Sequence, residues 1–138
     1  MAITYEESIP EDSSYFQLYE TTGWNLHYKA DRKDIERTLA NTWYSVCAYH
    51  GRQLVGYGRV ISDSVFYGII CDMIVAPEFQ RKGIGSEIIN RLKNKCIASG
   101  LRTVWLFSSE GKRNFYMKHG FTDRPQNAPG MQMKLYDR

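Results

Sequence analysis

From Asp72 to Ser86 the chain reads Asp-Met-Ile-Val-Ala-Pro-Glu-Phe-Gln-Arg-Lys-Gly-Ile-Gly-Ser, and the remaining sequence is arranged around this passage. Its first part is apolar and reads as the end of a strand. Pro77 stops that strand, because it has no N–H to give to a ladder. A turn follows, and the amphipathic pattern of a long helix begins at once. A strand that passes through a glycine-bearing turn into a helix N-terminus is suited to hold a phosphate. The first-turn N–H groups have no partner within the helix, and its dipole is positive at that end. Gly83 and Gly85 carry no Cβ to keep a diphosphate off the backbone, and Arg81 and Lys82 add positive charge. Two glycines also suit a plain tight turn, so this pattern alone leaves both readings open.

Downstream, Ile84, Ile88, Ile89, Leu92 and Cys96 fall on one stripe that would face a sheet. Gly100 ends this helix, and Thr103 to Phe107 reads as a buried strand. A helix of that length makes a crossover, so the strand should lie parallel to the one ending at Ala76. Upstream, Trp43–His50, Gln53–Ser62 and Val65–Ala76 read as a three-stranded antiparallel meander, with turns at Gly51-Arg52 and Asp63-Ser64. Ile3 to Ser8 reads as a first strand, and a short helix runs to about Thr21 and ends at Gly23-Trp24-Asn25. Asp31 is the expected N-cap of a second helix whose buried side carries Ile35 and Leu39. Met131 to Tyr136 reads as a last strand.

The chain has 138 residues, 43% of them apolar, which bounds it to a single domain, residues 1–138, with one core. No apolar run is long enough to span a membrane, and the N-terminus does not read as a signal peptide, so the expected setting is the cytoplasm. Cys47, Cys71 and Cys96 are odd in number and widely spaced, which fits free thiols and no metal site. A formal charge of +3 suits an anionic small ligand but argues against a nucleic-acid partner.

Residues 80–85 spell Gln-x-x-Gly-x-Gly after Val-x-Pro. A Walker loop needs Gly-Lys-Ser/Thr, and a dinucleotide fingerprint needs a third glycine; neither is present. The pattern resembles the acetyl-CoA signature of the GNAT superfamily of N-acetyltransferases. Phe115-Tyr116-Met117-Lys118-His119-Gly120-Phe121 resembles that family's second signature, Phe-Tyr-x-x-x-Gly-Phe. The resemblance covers about Trp43 to Leu135.

It implies an α/β (α+β) GNAT fold, with a mixed, mostly antiparallel sheet of 6–7 strands flanked by about 4 helices. Coenzyme A would enter where the central strand and the strand after the long helix splay apart. Its pantetheine arm would pair with Met73, Ile74 and Val75, and its pyrophosphate would rest on Gln80, Arg81, Lys82, Gly83, Ile84, Gly85 and Ser86. Tyr116 would protonate the leaving thiolate. Many relatives carry Asn seven residues before this Tyr to bond the pantetheine arm. Ser109 stands there, and Asn114 is the alternative. Trp24, Asn25 and Tyr28 fall where the family places acceptor contacts, although Trp24 equally suits a core plug.

Asp72 interrupts an apolar strand, where an unpaired carboxylate is costly. It reads either as a general base, acting directly or through water, or as a structural acid bonded to a loop or to Arg59. His119 is in the variable part of its motif and is expected at the surface. The implied activity is direct acetyl transfer from acetyl-CoA to a primary amine of a small molecule. A protein amine and a catalytically silent coenzyme-binding module are the alternatives. Many relatives are dimers, so a homodimer stays open.

Overall fold

A computed structural model describes residues 2–136. Five strands form one sheet in chain order: β1 (Thr4–Glu6), β2 (Tyr44–His50), β3 (Gln53–Ser62), β4 (Tyr67–Val75) and β5 (Thr103–Leu106). The first four are antiparallel neighbours, and β5 joins β4 in parallel. The helices are α1 (Asp12–Glu20), α2 (Asn25–Tyr28), α3 (Arg32–Ala40), α4 (Ile84–Ala98) and α5 (Arg113–Lys118), with a 3-10 turn at Pro77–Phe79.

Alternation along β3 explains how the helices are layered. Gly56, Gly58 and Val60 point to the face covered by α4, where Ile84, Ile88, Ile89, Leu92 and Cys96 are all buried. Tyr57 and Arg59 point to the other face. There Tyr57 meets Tyr15 edge-on at 5.0 Å, and Arg59 reaches the backbone of Thr38. α1 and α3 cover this face with Tyr15, Leu18, Tyr19, Ile35 and Leu39. Helical spacing and strand alternation thus build three layers, with α4 on one face of the sheet and α1 and α3 on the other.

The β3–β4 ladder slips once. Tyr57 pairs with Ile74 and Arg59 with Cys71, so Gly58 alone opposes Asp72 and Met73. This is a β-bulge, and Asp72 takes a left-handed φ of 56° within it. Gly58 permits the bulge. A Cβ there would stand 2.7 Å from Met73 Sδ and 2.8 Å from Ile88 Cγ2.

Three expectations are corrected. The sheet has five strands among the described residues, not six or seven. Residues 131–136 form no strand; Met131, Met133 and Leu135 are exposed, and Tyr136 instead packs on Tyr28 at 4.8 Å between ring centres. Alternation reports only which faces a segment could offer, whereas a strand also needs a neighbour's free ladder. Among the described residues there are five α-helices rather than about four, because the chain re-enters a single helical turn, α2, just after Gly23-Trp24.

Candidate active site

The β4–β5 pairing ends at Ile70 opposite Leu106, while β4 runs on to Val75. Met73, Ile74 and Val75 therefore continue past the end of the β5 ladder. A cleft of about 560 Å³ opens there. These three residues line it, together with the loop after the 3-10 turn, Ser109, Lys112 and Tyr116 near α5, and Thr21, Thr22 and Trp24 after α1.

The loop is built to leave its amides open. Gln80 Nε2 donates to the Val75 carbonyl at 3.0 Å, tying the turn to the end of β4. Arg81 and Gly83 then take left-handed φ values of 61° and 84°. Gly83 does so without cost, whereas Arg81 stores strain of about 1–3 kcal/mol. Left-handed residues within such a turn gather successive N–H groups into an anion-binding concavity. The contrast with α3 is informative. Asp31 caps α3 by accepting from the Asp34 amide at 2.9 Å, and Asp34 returns the bond. α4 has Gly83 at its N-cap and no side-chain cap. Its first backbone bond runs from Glu87 N to Gly83 O. Among the described residues, the N–H groups of Arg81 to Ser86 meet no acceptor within the chain. That donor set fits a diphosphate.

Tyr116 lies on the cleft at α5, half-buried, with its ring set edge-on to Phe115 at 5.1 Å and to Phe121 at 6.0 Å. Burial raises its phenol pKa above the ordinary value, so the proton stays on Oη at neutral pH.

Asp72 precedes Met73 on β4 but is outside the cleft lining, and it is bonded rather than free. Arg59 Nε donates to its Oδ2 at 2.6 Å, and the two side chains are only 11% and 20% exposed. Burial acts to lower the Arg59 pKa, but the Asp72 charge and hydrogen bond outweigh it, and the net shift is upward. The Asp72 charge also reaches α1: burial first, then Asp72, pushes the Tyr19 phenol up to about 12.

The remaining residues expected at the site divide. Trp24 lines the cleft and stands edge-on to Tyr19 at 6.1 Å. Asn25 closes its own loop, donating to Glu20 and to Ala30 O and accepting from Ala30 N at 2.7 Å. Tyr28 is exposed and turned to Tyr136. Ser109 lines the cleft; Asn114 and Lys82 are exposed and outside its lining. Three residues that sequence reading missed belong here. Thr21 and Thr22 line the cleft while their hydroxyls bond the last carbonyls of α1. Lys112 brings a cation to the same cleft. His119 is not a free surface residue: it is half-buried and bonded to Ser86 and Asn90.

The Acetyltransferase (GNAT) family matches residues 8–121 of the chain. The chain therefore belongs to the GNAT family of acetyltransferases, and it is an acyltransferase. It is similar to the uncharacterized N-acetyltransferase ycf52 of Pyropia yezoensis, with 29% identity over 119 residues, covering 83% of this chain and 67% of that protein. A protein of unknown function from meticillin-resistant Staphylococcus aureus, a probable acetyltransferase, superposes with a TM-score of 0.85 at 25% identity. That match covers 96% of this chain and 99% of the other. A predicted acetyltransferase from Clostridium acetobutylicum, solved with acetyl-CoA, shares the fold at a TM-score of 0.72 and 18% identity, over 97% of each chain. Among the described residues no helix is long and apolar enough to cross a membrane, and no group of three His, Cys, Asp or Glu is placed to hold a metal ion.

Proposed function

We propose that the chain moves an acetyl group from acetyl-CoA directly to a primary amine of a small molecule. The observation that carries this reading is the row of unpartnered amides from Arg81 to Ser86, opening on the cleft that also holds Tyr116 and Trp24. Acetyl-CoA supplies an activated acyl thioester when bound. The loop amides and Arg81 hold the diphosphate, and the backbone of Met73 to Val75 holds the pantetheine arm, as an added strand would be held. With acetyl-CoA bound, Tyr116 Oη, protonated at neutral pH, would give its proton to the departing thiolate. Asp72, outside the cleft lining, takes the proton of the incoming ammonium through water, while Arg59 keeps hold of Oδ2. Trp24 forms the acceptor end.

The test is thiol release. Acetyl-CoA is titrated with and without a panel of small amines and lysine-bearing peptides. Release that depends on a small amine is the expected result. Release with peptides alone would move the acceptor to proteins, and coenzyme binding without release would make the chain a binding module.

A further inference from the structure

α5 has six residues and no fully buried side chain, yet it carries Tyr116. What fixes such a short helix is a question the Phe-Tyr motif leaves open. At its C-cap, His119 Nε2 stands 3.2 Å from Ser86 Oγ, and Nδ1 stands 3.2 Å from Asn90 Oδ1. Ser86 is in the first turn of α4, and Asn90 is one turn further on. One imidazole thus spans the stretch of α4 that begins at the last of the open amides, and its ring also packs on Phe115 at 4.9 Å.

Burial, then Lys93 and Lys118, hold the His119 pKa below its ordinary value, so the ring is neutral at neutral pH. A neutral imidazole has one N–H and one lone pair. Asn90 Oδ1 is an acceptor, so Nδ1–H donates to it and Nε2 accepts the Ser86 hydroxyl proton.

We infer that His119 is a positioning residue that locks Ser86 and the first turn of α4 to α5, so that the diphosphate loop and Tyr116 are held as one frame. The inference rests on the coenzyme reading of the loop. It assigns His119 no contact with the reacting atoms.

Two near-isosteric variants separate its two arms. Gln places its amide where Nε2 was, and Asn places its amide where Nδ1 was. Acetyl-CoA affinity is measured by calorimetry. His119→Ala and His119→Asn should weaken it about threefold to tenfold, the worth of one net hydrogen bond. His119→Gln should hold it near the wild-type value. Ser86→Ala should match His119→Ala, and the double variant should be no worse than either single one. In the protein without coenzyme, imidazole nitrogen shifts should place the ring proton on Nδ1. Equal affinity in all His119 variants, additive losses with Ser86→Ala, or a proton on Nε2 would overturn the inference. Wild-type protein that binds no acetyl-CoA would instead remove the coenzyme reading itself, and this inference with it.

Discussion

Tyr116→Phe should lower kcat about 10²–10⁴-fold, the range for loss of a positioned acid, and leave the Kd for acetyl-CoA nearly unchanged. The ring packs against Phe115 and Phe121, and Phe keeps that packing. Only Oη is lost, so stability should stay within about 0.5 kcal/mol. Its pH dependence follows from the direction of the Tyr116 shift. Burial raises the pKa, so the protonated acid persists through neutral pH and is lost only above the ordinary phenol range. Wild-type turnover should therefore carry an alkaline limb there, and the Phe variant should lack it. Steady-state kinetics across pH read this out. Unchanged kcat would remove Tyr116 from the chemistry.

Asp72→Ala should cost about 3–5 kcal/mol of stability, the range for leaving one member of a buried ion pair alone. Arg59 and Asp72 are largely shielded from water, so this cost is not screened away as at a surface. The backbone adds to it. Asp72 has a left-handed φ of 56°, which Ala tolerates poorly, at about 1–2 kcal/mol. Asp72→Asn is the informative partner. Asn is at home in that conformation and its amide oxygen still accepts from Arg59, so the fold should lose much less. If Asp72 also serves as the base, the Asn variant stays folded and loses turnover. Urea midpoints at constant slope give the stability difference. An Ala variant as stable as wild type would mean that the Arg59 bond does not hold the bulge.

These two residues mark what sequence reading can and cannot reach. Tyr116 sits in a motif, and the α4 stripe from Ile84 to Cys96 is buried as its spacing requires. The Asp31 cap and the β2–β3–β4 meander form for the same reason, since each depends on neighbours close in sequence. The bulge at Asp72 depends on register against β3 across the sheet, and a single strand does not record that. Residues 131–136 failed as a strand because alternation says nothing of a partner edge. Thr21 and Thr22 carry no chemical signal at all; they reach the cleft because α1 ends beside it. Ser109 lines the cleft and Asn114 does not, an outcome set by where α5 begins. His119 reads as a surface residue because its partners, Ser86 and Asn90, are about thirty residues away in the chain.

The role of the loop is open to direct measurement by following the backbone amide resonances of Arg81 to Ser86 while acetyl-CoA is added. Free donors that take up a diphosphate should shift strongly downfield together, saturating at the affinity found by calorimetry, with desulfo-coenzyme A producing the same pattern. If acetyl-CoA binds and those six resonances stay in place while others move, the loop does not hold the diphosphate and the assignment of this cleft is wrong.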